Sequence, residues 1–270
     1  MAVSSPADVR PPQRSYLTRY RHALWLLTKR DLRVRYSTSA LGYVWSILDP
    51  LVMAGIYWFV FAVVFDRGGR VGEQPYIVFL LIGLLPWMWF NGAVSDSTRA
   101  FIREAKLVRS TSIPRTIWVN RLVLSKGIEF LAALPVLALF AIWYGAPLHW
   151  EVVFFPLAIL IQSVLTVGIS LIVAPLVVFF RDLERAVKLI LRFLFYASPI
   201  VYGLSDLPEE IQTLAAFNPL AGIFSLYRAA FFPQQLEVFA IVVSAGMSLL
   251  FLAVGLWVFK RSERTVLKEL

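Results

Sequence analysis

The stretch Val238–Phe259, VFAIVVSAGMSLLFLAVGLWVF, runs for 22 residues without a charge between Glu237 and Lys260. A hydrocarbon core about 30 Å thick takes roughly 20 helical residues to cross, so a block of this kind reads as a membrane span. Working back along the chain, the uncharged blocks are Phe193–Ser205, Val152–Phe180, Phe130–Trp150, Gln74–Ser95 and Leu51–Phe65, the last extendable to Leu41 across Asp49. Phe193–Ser205 is short, but it reaches spanning length if it starts near Ala186 with Lys188 and Arg192 snorkelling to the headgroups. The composition agrees. The chain is 59% apolar and 16% charged, against about 25% charged in an ordinary soluble domain, and it has no cysteine. A soluble enzyme, a disordered tail and a disulfide-stapled module are thereby excluded.

One further block, Ile211–Tyr227, has Asn218-Pro219 in its middle and follows the acidic turn Asp206-Leu207-Pro208-Glu209-Glu210. Proline ends a helix by removing a donor and clashing with the preceding turn, so this block reads as two short helices that dip into the membrane and return. The expected fold is all-α, with six transmembrane helices, a re-entrant hairpin over 205–230 before the last span, and an N-terminal amphipathic interfacial helix. Residues 1–36 form the cytoplasmic N-terminus, 37–260 the six-span domain, and 261–270 a basic cytoplasmic tail.

Charge sets the orientation. Segments 1–42, 99–126, 181–192 and 260–270 hold 23 of the 26 Lys and Arg residues, and six spans place all four on one side. Positive charge marks the cytoplasmic face, so both termini are expected there. The opening Met-Ala-Val-Ser-Ser-Pro-Ala-Asp lacks a basic-then-apolar pattern, and no cleaved leader is expected. A net charge of +9 can also mark a nucleic-acid footprint, but here the charge is split among juxtamembrane segments, and no nucleic-acid partner is expected. Within the first segment, Tyr16, Leu17, Tyr20, Leu24 and Leu27 share one helical arc, while Arg19, His22, Lys29, Arg30 and Arg33 share the other. Trp25 and Leu26 break the pattern. Such a helix lies along a membrane interface, as a simple anchor or as something more.

Recognisable catalytic patterns are missing. No glycine is followed by lysine, so the chain has no P-loop, and neither H-E-x-x-H nor G-x-S-x-G occurs. Glu129 is the one acid placed to be membrane-embedded, with Asp49 and Asp96 nearer the cytoplasmic ends. It would anchor an ion-coupled secondary transporter, the competing function. It also sits three residues from Lys126, where an i,i+3 ion pair forms.

The run Arg33-Val-Arg-Tyr-Ser-Thr-Ser-Ala-Leu-Gly-Tyr-Val-Trp45 followed by Pro50 resembles the opening of the permease subunits of type-two ABC exporters for polysaccharides and polyol phosphates. Lys106 to Pro114-Arg115, Phe180-Arg181-Asp182, Ser198-Pro-Ile-Val-Tyr202, and Asn218-Pro219 followed by Tyr227-Arg228 continue the likeness, in the order of the charge-derived topology. Ser37 stands where that family often has a basic residue, one cation fewer at an entrance.

The resemblance implies a homodimer of permeases in a bacterial inner or plasma membrane, working with two copies of a separate ABC ATPase. ATP and magnesium would sit on that partner, with no cofactor and no metal on this chain, which is not itself an enzyme. The implied cargo is a polysaccharide on a polyprenyl pyrophosphate lipid, exported for cell-envelope assembly. Arg30, Arg33 and Arg35 would meet the pyrophosphate by forked hydrogen bonds, or would hold anionic lipids and fix topology. Tyr20, Leu24, Arg103, Lys106, Arg109 and Pro114 would couple to the ATPase, although the loop also reads as a solvated basic connector. Tyr43, Tyr57 and Phe61 on the first span, with Phe193 and Tyr196 on the fifth, would line a sugar-conducting pore or pack against neighbouring helices. Asn218 and Pro219 would form an outer gate.

Overall fold

The computed structural model describes residues 15–37, 42–64, 70–71 and 74–269. Among the described residues the regular structure is helical apart from a two-residue antiparallel pairing of Arg70–Val71 with Gln74–Pro75. The helices are α1 (Tyr16–Ser37), α2 (Trp45–Trp58), α3 (Tyr76–Ser97), α4 (Ala105–Ser110), α5 (Thr116–Trp143), α6 (Phe155–Phe179), α7 (Leu183–Ala197), α8 (Glu209–Ala216), α9 (Ala221–Ala229) and α10 (Val238–Glu269).

Among the described residues, four segments are long and apolar enough to span a membrane by themselves: α3, α5, Trp150–Phe179 (α6 with its leading 3-10 turn) and α10. The other two expected spans are built differently. α2 has 14 residues and carries Pro50, but it runs directly into a six-residue π-helix, Phe59–Val64. α7 has only 15 residues and stops at Ser198-Pro199, because proline restricts the residue before it to extended backbone. Between α8 and α9 lies Asn218-Pro219, so the break expected from the sequence is present as two short helices.

α3 is the central element. Its apolar residues go all the way round, and 17 of its 22 residues are buried. A helix with no polar face must be covered on every side by protein or lipid, and here protein covers it. α6 and α10 come into backbone contact at Gly168 and Gly255, where a methyl group on Gly255 would meet the Gly168 carbonyl oxygen. Small residues at such crossings let helix backbones touch and gain van der Waals contact that lipid cannot replace.

A second apolar cluster sits at the α4 end of the bundle, where Phe101, Val108, Trp118, Leu171, Phe259 and Val266 pack together. The stretch 261–269, expected as a basic tail, is therefore the last turns of α10, with Val266 buried. Its Lys, Arg, Glu and Leu residues are good helix formers and include no glycine or proline to stop the helix. α1 lies against α5, so the part of its apolar arc formed by Tyr20, Leu24 and Leu27 is half-covered and Thr28 is buried, while Tyr16 and Leu17 of the same arc stay exposed. Trp25 and Leu26, which break that arc, are exposed.

Candidate functional site

Asp31 is the one acid in α1, among six Lys and Arg residues. Helical spacing puts Arg30, Asp31 and Arg35 on the side of α1 that meets the ends of α3 and α5. Arg121, one turn into α5 and 3% exposed, grips both Asp31 carboxylate oxygens at 2.6 and 2.7 Å. Arg30 reaches Glu104 at 2.5 Å, and Arg121 lies 3.7 Å from the same carboxylate. Burial lifts the Asp31 carboxyl above its ordinary value, against the pull of Arg121 and Arg30. Arg35 forks between two helices, to Asp96 at 2.7 Å and to Glu129 at 2.8 Å, and Lys126 takes the other Glu129 oxygen at 2.8 Å. Arg99 joins the start of α7 through Glu184, which also holds Lys188.

These residues, apart from Lys126 and Glu129, wall a cavity of about 770 Å³. Around it stand six cations, Arg30, Arg35, Arg99, Arg103, Arg121 and Lys188, against four carboxylates, Asp31, Asp96, Glu104 and Glu184. The surplus is two positive charges. Arg103 is exposed and makes no ion pair among the described residues. A second cavity, of about 300 Å³, adjoins the first through Arg35 and reaches toward the middle of α3 between α2 and α5. Trp45, Asp49, Trp89, Lys126, Glu129 and Phe130 line it.

At the far end of the bundle the irregular segment after α7 is held by side chains. Arg228, only 2% exposed, donates to the carbonyls of Ile200 at 2.6 Å and Tyr202 at 2.9 Å, with its guanidinium 3.7 Å from the centre of the Phe79 ring. The Tyr76 hydroxyl takes the carbonyl between them, Val201, at 2.7 Å. Asn218 donates to Ser198 Oγ at 2.8 Å and to the Ala197 carbonyl at 3.3 Å. Gly83 leaves room for this segment, since a methyl group there would sit 2.6 Å from the Ile200 oxygen.

Comparison with known proteins adds the family. The ABC-2 type transporter model matches residues 22–232, most of the chain. This chain belongs to the ABC-2 type transporter family. The permease is 37% identical to an O-antigen export system permease protein RfbA of Klebsiella pneumoniae over 240 residues, covering 88% of this chain and 91% of that protein. It is 30% identical to the RfbA of Myxococcus xanthus over 92% of this chain and 95% of that one. It is 26% identical to the polysialic acid transport protein KpsM of Escherichia coli, over 88% and 92%. With its apolar helices, it is a multi-pass membrane permease of this family.

Within this permease the residues singled out from the sequence fall as follows. Arg30 and Arg35 are both engaged by carboxylates, whereas Arg33 is exposed and makes no ion pair among the described residues. The Tyr20 hydroxyl lies 3.1 Å from the Thr116 hydroxyl and accepts from Asn120 at 2.8 Å, so α1 is tied to α5 just after Pro114. Leu24 is half-buried there, while Arg103, Lys106 and Arg109 on and beside α4 are exposed. Tyr57 packs on Phe195 with ring centres 5.4 Å apart and is a hydrogen-bonded neighbour of Tyr196. Phe193 and Tyr196 point outward, 69% and 63% exposed. The side chains of Tyr43 and Phe61 lie outside the described residues. Asn218 braces the end of α7, and Pro219 is half-buried. Glu129 has its Lys126 partner and a second, Arg35.

Sequence reasoning missed Asp31, Arg121 and the clamp at Arg228. For the first two a signal exists: one acid in a run of bases, and a base among apolar neighbours near the start of α5, call for partners. For Arg228 the signal is weaker, a cation between Tyr227 and Ala229 in an otherwise apolar stretch.

Proposed function

We propose that this permease works as one of two copies in an ATP-driven exporter that carries a polyprenyl-pyrophosphate-linked polysaccharide out of the cytoplasm. The cation-rich cavity of about 770 Å³ carries this reading. Its surplus of two positive charges matches a diphosphate, and planar guanidinium groups bind phosphate oxygens in pairs. The carboxylates facing Arg30 and Arg35 then act as stand-ins, holding the guanidiniums in place until phosphate competes for them. The names of the relatives support a polysaccharide as cargo.

The six spans would be 45–64, α3, α5, Trp150–Phe179, α7 with the segment after it, and α10, with both termini cytoplasmic. α8 and α9 would form the re-entrant hairpin at the outer mouth, since irregular backbone at membrane depth must be covered by protein or line water. The exposed α7 face bearing Phe193 and Tyr196 supports a lumen or subunit contact. Exposed Trp25 and Leu26 would dip into the interface. The ATPase would dock on α4, through Lys106 and Arg109, and on the cavity of about 320 Å³ between Ile113 and Arg19, His22 and Leu26 of α1. An ion-coupled transporter built on Glu129 is not favoured: two cations, Arg35 and Lys126, hold that carboxylate.

The test is purification with a partner ABC ATPase from the same organism, followed by ATP turnover in lipid discs. A two-plus-two complex whose hydrolysis changes with added lipid-linked glycan is the expected result. A chain that binds no ATPase yet moves solute down an ion gradient overturns the reading.

A further inference from the structure

The smaller cavity differs chemically from the one it adjoins. The larger is walled by ion pairs and carries excess positive charge. In the smaller, apart from the shared Arg35, Lys126 stands with Asp49 and Glu129, so there is no excess of positive charge, and aromatic rings supply much of the wall. Trp45 is 45% exposed, so part of its ring is open to a ligand. Trp89 is fixed behind it, its indole N–H donating to the Val123 carbonyl at 3.0 Å and its ring stacked on Phe130 at 5.2 Å. Asp49 is exposed and makes no ion pair or side-chain hydrogen bond among the described residues. Lys126 spends one of its three donors on Glu129, which leaves two.

A cavity without excess positive charge, with an open aromatic ring, a free carboxylate and spare ammonium donors, suits a ligand with apolar C–H faces and a rim of hydroxyls. That is a pyranose ring. An acyl chain would leave Asp49 and Lys126 facing hydrocarbon, at the cost of unpaired polar groups. At about 300 Å³ the cavity stands at the small end of ligand sites, which run from about 300 to 1,000 Å³. Arg35 lines both cavities, so a ligand whose diphosphate occupies the larger one places the next group along at the mouth of the smaller.

We propose that the smaller cavity is a subsite for the sugar bonded directly to the diphosphate, with Trp45 stacking on the ring and Asp49 and Lys126 bonding its hydroxyls. This rests on the exporter reading. The permease thereby reads the first sugar of the glycan as well as the charge of its lipid carrier, and Trp45 and Asp49 become specificity-determining residues.

The experiment compares two probes on the full chain in lipid discs, polyprenyl diphosphate alone and polyprenyl diphosphate carrying a single N-acetylglucosamine, by competition against a radiolabelled copy. The sugar-bearing lipid is expected to bind more tightly, by roughly ten- to a hundredfold for hydrogen bonds to charged groups. Asp49→Asn and Trp45→Leu should each erode that difference while the sugar-free lipid binds as before, which also shows that the variants fold. Arg103→Ala should weaken both probes alike. Equal affinity for the two probes, or a difference that survives both variants, overturns the subsite and leaves the exporter reading standing. Failure of both probes to bind overturns the two together.

Discussion

The two ends of the bundle use arginine in opposite ways. On the α1 side, Arg30, Arg35, Arg99 and Arg121 answer carboxylates around an open cavity. At the other end, Arg228 is sealed against Phe79 and answers only backbone carbonyls. A carboxylate is an exchangeable partner, because another anion competes for the same guanidinium. A carbonyl in a covered loop is not, because nothing else reaches it and its partner's departure leaves it unsatisfied. The first arrangement suits a place where a charged ligand enters and leaves, and the second suits a fixed shape.

The largest effect should come from the sealed end. Arg228→Met strands two buried carbonyls, each worth about 1–3 kcal/mol, and loses the ring contact, so unfolding in detergent should move down by about 4 kcal/mol. Arg228→Lys should recover less than half, since one ammonium cannot fork between Ile200 and Tyr202. Full stability in either variant would break the comparison.

On the open side, Arg121→Met should cost about 2–3 kcal/mol, below the 3–5 of a fully buried pair because the cavity admits water. There a second substitution can repair the first: Asp31→Asn in the Arg121→Met background should restore part of the loss, with a coupling of about 1–2 kcal/mol in a double-mutant cycle. Backbone carbonyls permit no such repair beside Arg228, and that asymmetry sharpens the contrast.

Gly83→Ala pushes a methyl group to 2.6 Å from the Ile200 oxygen and should cost about 1–3 kcal/mol by overpacking. The smallest effect belongs to Arg99→Ala. Its partner Glu184 is held at the surface, Arg99 itself is mostly exposed, and the loss should stay below about 1 kcal/mol and vanish in high salt.

Much of this architecture was legible in the chain because apolar blocks and prolines act locally. Val238–Phe259 reads as a helix wherever it stands, and Asn218-Pro219 divides α8 from α9 for reasons contained in a few residues. Ser198-Pro199 cuts α7 short in the same way, although the block Phe193–Ser205 gave no sign that the chain beyond it would be irregular. The site was less legible because its bonds join residues far apart. Glu129 shows its nearby partner Lys126, but Arg35 comes from 94 positions away, and Asp31 meets Arg121 across 90. No periodicity encodes such pairings. The arc on α1 is divided between protein and exposed surface for a related reason. An apolar stripe states that a face is covered without saying whether lipid or α5 covers it.

α10 has a mechanical consequence. Its 32 residues make a rod about 48 Å long, unbroken from Val238 to Glu269. The rod lies along α6, with the two backbones in contact at Gly255, roughly 26 Å from Val238 and about 17 Å from Val266. Val266 is packed in the same cluster as Val108 of α4, and Ala240 lies against Gly222 of α9. A stiff beam packed at both ends carries a sideways step at Val266 to Ala240 with no hinge between them, so that α4 and α9, which do not follow one another in the chain, are joined through one unbroken helix.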